Sequence, residues 1–379
     1  MNSKQVIVLL IVLLIIANFA FLVPKFTGNV IKENNAIKFG VTLPITGDLA
    51  NFGNGEKAAI EIAVEEINSN RGINGKKIEI VYEDSKGQIS EAVTAYNKIH
   101  DYDNIKYVLT HLSSVALAIE PLSLKDKVIQ IDVASTTPVY STPNDYSFRT
   151  GIMATQLAKE EANFLYNHLN AKKVAVLYLN DDFGKGMLKI FKENYRGEIV
   201  AEDLYNSGDS DFKTQLTKFK SKDFDYLLFV SHLKEGGLIV KQAKEIGLKT
   251  KFFADTYSVE GTDFLNNANG AGEGIIYVSP RFDKNDNVSG EFIKKYKEKY
   301  NKDPAIFAAQ SYDAVIVLSK ALLNCNSQNT DCVKDELMKL DYNGTSGLIK
   351  FDINGDVKKP VELKTVKNNK FVKYEEGAL

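Results

Sequence analysis

The chain has 379 residues, of which 44% are hydrophobic, and a formal net charge of −2. Its length exceeds the roughly 250–300 residues that one hydrophobic core usually serves, so we expect two domains. The net charge is near zero, so no excess of basic residues points to nucleic-acid binding. Two cysteines are too few for a disulfide framework. Cys325 and Cys332 have no histidine nearby to complete a zinc site, and in an oxidising compartment they could form one local bridge.

The N-terminal segment, residues 1–35, is predicted to lie outside the globular body. It carries a long apolar run, Val6–Val23, at the short end of the roughly 17–25 residues of a membrane-spanning helix. The spacing of Ala17 and Ala20 does not fit a signal-peptide cleavage site, so an uncleaved membrane anchor is favoured over a cleaved signal. Lys4 precedes the run, as the positive-inside rule expects for a cytoplasmic N-terminus. The body is therefore expected outside the cytoplasm, tethered to the outer face of the membrane, or free if the segment is cleaved.

Strand and helix patterns then alternate along the body. In chain order, the predicted strands cover residues 37–43, 78–82, 107–109, 128–133, 173–179, 226–230, 252–254 and 274–278. The predicted helices cover residues 56–68, 90–100, 154–169, 185–195, 212–219, 236–246, 289–300 and 304–323. Short hairpin strands are predicted at the end, over residues 347–351, 361–366 and 370–374. The repeated strand–helix units predict a doubly wound α/β architecture in two lobes.

Two hydroxyl-rich turns, Thr110–Ser114 and Ala134–Pro138, stand out between these patterns. Each follows an apolar strand and is predicted to lead into a helix, with Ser or Thr as its cap and Pro138 at the first helical position. The free N–H groups of a helix start favour an anion, and open α/β folds bind ligands at the carboxyl edge of the sheet. The turns therefore predict a cradle for the carboxylate of a small molecule. Ordinary helix caps are the alternative.

Sequence motifs for catalysis are missing from the chain. It has no His-Glu-x-x-His pair, Gly-x-Ser-x-Gly elbow, P-loop or dinucleotide-binding glycine motif after a strand. Asp352–Asp356 is similar to a calcium loop, but it does not meet the EF-hand spacing, so a tight turn is predicted there. The sequence therefore indicates no enzyme, no metal site and no cofactor.

Three single residues each allow two interpretations. Phe52, flanked by Gly53 and Gly55 before the first predicted helix, is either a core residue or an aromatic wall of a ligand site. Asp255, at the end of a predicted strand, either caps the next segment or pairs with a ligand ammonium group. His111 is interpreted as a structural residue at a strand end, with a ligand contact as the alternative.

Several segments, taken in order and spacing, resemble the type I periplasmic solute-binding proteins. They are Leu43–Gly47, Gly55–Asn68, Gly72–Gly75, Gly247–Thr250 and Ser311–Ala314. The resemblance runs from about Ile37 to about Phe371, and it looks closest to the proteins that bind leucine, isoleucine and valine for ABC importers.

The resemblance implies an α/β fold of two Rossmann-like, doubly wound lobes that are joined by three hinge crossovers, with a ligand in the cleft between them. Lobe I would comprise residues 36–152 and 279–342, and lobe II residues 153–278 and 343–379. The family implies no catalysis.

The resemblance also implies ligand-binding residues by position. Ser114, Ser135 and Thr136 match residues that grip the α-carboxylate and α-ammonium groups of the ligand. Phe52 matches an aromatic residue beside the apolar side chain of the ligand. Ser113 stands where a disulfide cysteine is common, so that bridge is not expected.

Three further positions depart from the usual pattern or are placed less directly. Phe183 stands where branched-chain binders usually carry Tyr, and His232 or Leu233 stands where a second Tyr is common. The acidic partner of the ammonium group falls at Asp255 or Thr256, and Asp255 is the residue that we choose. These departures affect which ligand is expected. They leave the predicted cradle for a zwitterion unchanged.

The leading hypothesis is an extracytoplasmic receptor of an ABC importer, which captures a small amino acid and closes by a hinge motion. The expected partners are the ligand (leucine, isoleucine or valine), the permease subunits, and the membrane through the N-terminal helix. A ligand-sensing ectodomain of the same fold and a receptor for a different small amide or zwitterion are the alternatives. An enzyme on this fold is disfavoured because no close pair of titratable residues stands out.

Overall fold

The computed structural model describes residues 36–102, 104–282, 285–325 and 329–375, so the predicted membrane anchor lies outside the described residues. From Ile37 onward the chain forms one compact unit. The strands are β1 (Ile37–Leu43), β2 (Ile78–Asp84), β3 (Tyr107–Thr110), β4 (Ile129–Asp132), β5 (Ser147–Arg149), β6 (Lys173–Leu179), β7 (Glu198–Tyr205), β8 (Tyr226–Val230), β9 (Lys251–Asp255), β10 (Ile276–Pro280), β11 (Tyr342–Gly344), β12 (Gly347–Ile349), β13 (Val361–Lys367) and β14 (Lys370–Lys373).

The helices alternate with these strands through most of the chain. They are α1 (Ala50–Ser69), α2 (Ile89–Asn97), α3 (Ser113–Asp126), α4 (Ala154–Asn163), α5 (Asp182–Asn194), α6 (Lys213–Lys220), α7 (Leu233–Glu245), α8 (Thr256–Val259), α9 (Thr262–Ala268), α10 (Asn287–Tyr300), α11 (Ile306–Cys325) and α12 (Thr330–Lys339). Lys98–Tyr102 and Phe164–His168 extend α2 and α4 by a wider π-helical turn each.

Five parallel strands form the sheet of lobe I, in the order β2-β1-β3-β4-β5. Helices α1, α2 and α3 connect its strands, and α10 to α12 return to pack on the same lobe through α1 and β4. β3 and β4 are buried along their whole length, as expected for parallel strands that are covered on both faces.

Seven strands form the sheet of lobe II, in the order β14-β13-β10-β9-β8-β6-β7. The five strands from β10 to β7 are parallel, and the C-terminal hairpin β13–β14 adds antiparallel strands at one edge. The prediction of an α/β fold with two doubly wound lobes is therefore confirmed. β7 was not predicted, because its exposed edge position gives it a polar sequence without a continuous apolar run.

Helix α1 begins at Ala50, earlier than the predicted start at Glu56. Glycines obscured the helical pattern in this first turn, and Gly53 is needed because a β-carbon there would lie 2.3 Å from the carbonyl oxygen of Pro44. Phe52 therefore lies inside the helix rather than in the turn before it.

The apolar helix α11 packs along α1 in the centre of lobe I. Within the part of the chain that the structure describes, it is the one helix whose length and composition would allow it to span a membrane, and 83% of its most apolar window is buried. Its hydrophobicity is therefore explained by its position in the protein core.

Three crossovers join the lobes, between β5 and α4, between β10 and α10, and between β12 and β13. At the first, the hydroxyl of Thr150 donates to the carbonyl oxygen of Gln310 at 3.0 Å. Near the third, the buried carboxylate of Asp313 accepts from the Ser346 N–H at 2.7 Å. The buried ammonium of Lys359 donates to the carbonyl oxygen of Ser346 at 3.1 Å. Polar side chains thus fix the chain where it passes between the sheets.

Cys325 and Cys332 form a disulfide bond, so the local bridge that the sequence allowed is confirmed. The bond links the end of α11 to the first turn of α12.

Candidate functional site

The order of the strands in the two sheets indicates where the candidate site lies. In lobe I the order reverses between β1 and β3, and in lobe II it reverses between β6 and β8. Ligands of open α/β folds bind at such switch points, outside the carboxyl ends of the strands. The segments that follow these four strands carry Phe52, Ser114, Phe183 and His232.

A chain of aromatic rings connects the two lobes at this position. In lobe I, the rings of Phe52 and Phe307 lie 5.2 Å apart between centroids. Phe307 meets Tyr257 of lobe II at 4.8 Å, and Tyr257 meets Phe183 at 5.5 Å. Phe183 stacks on His232 at 5.8 Å. All five side chains are buried, so both lobes contribute to one apolar surface inside the cleft.

The first hydroxyl-rich turn leads into a helix, as predicted, but its serines do not cap it. α3 begins at Ser113, and its N-cap residue, Leu112, makes no side-chain cap hydrogen bond. The Ser113 hydroxyl instead accepts from the N–H groups of Thr136 and Thr137, at 3.2 and 3.4 Å. Ser114 lies half-buried in the same first helical turn.

Leu112 has a φ angle of +85°, which costs a residue with a branched side chain roughly 1–3 kcal/mol. The neighbouring residue on each side is held by a contact of its own, since His111 pairs with Glu56 and Ser113 binds the second turn. The strained backbone at Leu112 is therefore held between two residues that are each fixed by a side-chain contact.

The second hydroxyl-rich turn was predicted to start a helix, and this prediction is wrong. Residues 134–141 form a loop, and Pro138 does not open a helix. The reason is that the Asp132 carboxylate accepts from the N–H groups of Ala134, at 2.9 Å, and of Ser135. These N–H groups are used inside lobe I, so the turn offers no free helix start to an anion.

Ser135 and Thr136 are both fully buried in this loop. The Ser135 hydroxyl lies 3.5 Å from the Ser113 hydroxyl, which brings the two predicted turns together. The Thr136 hydroxyl has no hydrogen-bond partner among the residues that the structure describes. A buried hydroxyl without a partner is available to bind a ligand.

The His111 ring packs against one end of the aromatic chain, with its centroid 5.7 Å from that of the Phe52 ring. Its Nδ1 atom is 2.6 Å from the buried Glu56 carboxylate. Burial acts to lower the pKa of His111, but the Glu56 carboxylate raises it, and the net shift is upward. This pairing supports the structural interpretation of His111.

Asp255 ends β9 and caps the short helix α8. Its carboxylate accepts from the Ser258 N–H at 3.0 Å and from the Ser258 hydroxyl at 3.1 Å. Burial raises the pKa of Asp255 to about 7. Burial, and then the charge of Asp255, also raises the pKa of the neighbouring Glu161, which is fully buried. Of the two interpretations of Asp255, the structure therefore shows the helix cap. The capping carboxyl group lies two residues before Tyr257 of the aromatic chain.

Sequence reasoning missed two residues of the aromatic chain, Tyr257 and Phe307. Tyr257 lies two residues after Asp255, the end of β9. Its position just after a strand could therefore have marked it as a candidate ligand-site residue. Phe307 lies at the start of the apolar helix α11, where its sequence context is that of a core residue. Only the packing of α11 against α1 brings it to the cleft.

Two polar contacts join the lobes at the exposed rim of the cleft. The Lys234 ammonium of α7 lies 3.0 Å from the Asp48 carboxylate in front of α1. The Asn51 amide of α1 donates to the Thr262 hydroxyl of α9 at 3.0 Å. Together with the ring contact between Tyr257 and Phe307, these pairs hold the cleft closed in the structure.

Comparison with known proteins gives a consistent result. A sequence model of the periplasmic binding protein family matches residues 36–370. The leucine-, isoleucine-, valine-, threonine- and alanine-binding protein of Pseudomonas aeruginosa is 27% identical over 330 residues, which cover 86% of this chain and 88% of that protein.

Two solved structures are similar along nearly their whole length. LivJ of Streptococcus pneumoniae, a branched-chain amino acid transporter substrate binding protein in complex with isoleucine, is 31% identical with a TM-score of 0.83, covering 89% of this chain and 97% of LivJ. The leucine binding protein LivK of Thermotoga maritima is 28% identical with a TM-score of 0.85, covering 90% of this chain and 98% of LivK. The chain therefore belongs to the periplasmic binding protein family, as a type I member related to the branched-chain amino-acid binders.

Proposed function

We propose that the protein is the extracytoplasmic receptor of an ABC importer and captures a small amino acid with a branched aliphatic side chain. The observation that carries this proposal is the aromatic chain between the lobes, together with the unpaired buried hydroxyl of Thr136 in loop 134–141 of lobe I. An aliphatic side chain would pack on the rings, and the zwitterionic end would reach the polar groups. LivJ binds isoleucine on the same fold at 31% identity, which supports this ligand class.

In this proposal the two lobes bind different parts of the ligand. Ser114, Ser135 and Thr136 of lobe I hold the α-carboxylate and part of the α-ammonium group. Asp255 of lobe II neutralises the ammonium group, because a buried charge has to be paired. The side chain of the ligand lies against three side chains, those of Phe52, Phe183 and His232.

The lobes are proposed to comprise residues 36–152 and 279–342 (lobe I) and residues 153–278 and 343–379 (lobe II). Closing the lobes on a ligand would present a surface formed by both lobes to the permease subunits of the importer. The N-terminal segment, residues 1–35, is proposed to tether the receptor to the outer face of the cytoplasmic membrane.

A thermal-shift screen of the full chain against the twenty amino acids and small amides tests the proposal. A ligand at 100 times its dissociation constant stabilises the folded state by about 2.7 kcal/mol. We expect a shift with leucine, isoleucine or valine. A shift with another zwitterion or amide alone would move the ligand class, and the lack of any shift would contradict the proposed receptor role.

A further inference from the structure

The loop of residues 134–141 is held from three sides, although it has no regular secondary structure. Asp132 accepts from two of its N–H groups, and the Ser113 hydroxyl accepts from two more. The third side is formed by Arg149, the last residue of β5, whose side chain is fully buried.

The Arg149 guanidinium binds the carbonyl side of the loop. Its Nη1 atom donates to the carbonyl oxygens of Ser135 and Thr137, both at 3.0 Å. Its Nη2 atom donates to the carbonyl oxygen of Tyr140, and its Nε atom pairs with the carboxylate of Asp356. One planar side chain thus ties three carbonyl oxygens of the loop to Asp356, which lies within the third crossover, between β12 and β13.

Thr136 lies between these contacts and is fixed through its backbone in both directions. Its N–H donates to the Ser113 hydroxyl at 3.2 Å, and its carbonyl oxygen accepts from the Ala154 N–H at 2.7 Å. Ala154 is the first residue of α4, beyond the first crossover. The backbone of Thr136 is therefore saturated, while its buried hydroxyl is without a partner among the described residues.

We propose that Arg149 is a positioning residue for ligand binding, which fixes loop 134–141 so that the Thr136 hydroxyl is held in place for the ligand. This inference rests on the proposed function and deepens it. A group that is already ordered before binding loses less entropy when the ligand arrives. Arg149 supplies this order because a guanidinium has five donors in one rigid plane, whereas a lysine ammonium has three on a flexible stem.

The test is a double-mutant cycle on the full chain, with the dissociation constants of L-leucine, L-isoleucine and L-valine measured by titration calorimetry. Arg149→Lys keeps the charge beside Asp356 and loses the planar fork, and Thr136→Val removes the hydroxyl at nearly constant volume. If Arg149 acts through Thr136, we expect Arg149→Lys to weaken binding about tenfold in the wild-type background and less than about threefold in the Thr136→Val background. An equal loss in both backgrounds, or none in the wild-type background, would overturn the inference.

A control separates positioning from general stability. Leu337→Ala removes a buried side chain from α12 and should lower the melting temperature of the protein without changing its affinity for the amino acid. If Arg149→Lys does not fold, Ser113→Ala loosens the same loop from its amide side and should show the same dependence on Thr136. Wild-type protein that binds none of the three amino acids would refute the proposed function, whereas wild-type binding with unchanged affinity in Arg149→Lys would refute only the positioning role.

Discussion

Tyr257 of lobe II and Phe307 of lobe I lie with their ring centroids 4.8 Å apart. Tyr257 follows β9, and Phe307 lies in α11, so opening the cleft would separate the two rings. Both are buried in the structure, and an aromatic pair contributes about 0.5–1.5 kcal/mol beyond the burial of its area. The closed arrangement is therefore stabilised at its centre by an apolar contact and at its rim by polar pairs.

The hydroxyl of Tyr257 is buried without a hydrogen-bond partner among the described residues. Tyr257→Phe keeps the ring contact and removes an unpaired hydroxyl, whose burial costs about 1–3 kcal/mol. We expect the unliganded variant to be at least as stable as the wild type in urea unfolding. Because Tyr257 belongs to the aromatic chain on which the ligand is proposed to pack, its hydroxyl is a candidate ligand contact, and we expect the affinity for the amino acid to fall about tenfold in titration calorimetry.

Tyr107→Phe is the matched control for this change. The Tyr107 hydroxyl is also buried without a partner in the described part of the chain, but it lies in β3, within the sheet of lobe I. The control should keep the wild-type affinity. If Tyr257→Phe keeps it as well, the Tyr257 hydroxyl does not bind the ligand.

Asp255 predicts two opposite pH dependences. Its pKa is about 7 in the folded protein, because of burial, against 3.8 for the free group. The folded state therefore binds more protons than the unfolded state between these values, so the free energy of unfolding falls as the pH rises from about 4 to about 7 and then levels. Binding of an ammonium group needs the ionised carboxylate, so ligand affinity should fall by up to about tenfold per pH unit below about pH 7.

Urea unfolding and calorimetry between about pH 5 and about pH 8, which brackets the pKa of Asp255, would measure both trends. Asp255→Asn keeps a side chain that can cap α8 and carries no charge, so it should bind more weakly and with an affinity that no longer depends on pH in this range. It should reduce the pH dependence of stability without removing it, because burial also raises the pKa of Glu161. An affinity in the wild type that does not change with pH would remove Asp255 as the partner of the ammonium group.

The ion pair of Lys234 and Asp48 spans the rim of the cleft at 3.0 Å. Lys234→Met should speed the release of the bound amino acid in stopped-flow experiments by no more than about fivefold, because exposed ion pairs contribute little. The difference from the wild type should vanish in high salt. Lys173→Met, which breaks an exposed pair with Asp223 inside lobe II at 3.1 Å, should leave the release rate unchanged, and an equal effect of both variants would count against a role at the rim.

The disulfide of Cys325 and Cys332 closes a short loop, with a sequence separation of 7. Replacing both cysteines by serine should lower the free energy of unfolding by about 2–3 kcal/mol, mainly because the unfolded chain gains entropy. The bond joins α11 to α12, away from the aromatic chain, so the dissociation constant of the ligand should stay the same. A change in affinity larger than about threefold would show that the disulfide influences the cleft.

The α/β architecture could be predicted because buried parallel strands read as apolar runs and amphipathic helices repeat at 3.6 residues. β8, with the sequence Tyr-Leu-Leu-Phe-Val, was placed correctly on this basis. The start of α1 could not be predicted. Gly53 is needed there because it packs closely on Pro44, but a glycine in a sequence usually indicates a turn.

The candidate site was predicted less completely than the fold. Hydroxyl residues after strands are helix caps in one context and loop residues in another, and here Asp132 decides between them by binding the amides of Ala134 and Ser135. Phe307 could not be found in the sequence, because its place at the cleft depends on how two distant helices pack.

The most direct measurement is a titration of the purified full chain with L-leucine, L-isoleucine and L-valine in a calorimeter at about pH 8, one pH unit above the pKa of Asp255. We predict saturable binding of at least one of them at one molecule per chain, which is lost or weakened at least tenfold in Thr136→Val. Binding of none of the three would contradict a branched-chain amino-acid receptor. Binding that is unchanged in Thr136→Val would place the ligand away from loop 134–141.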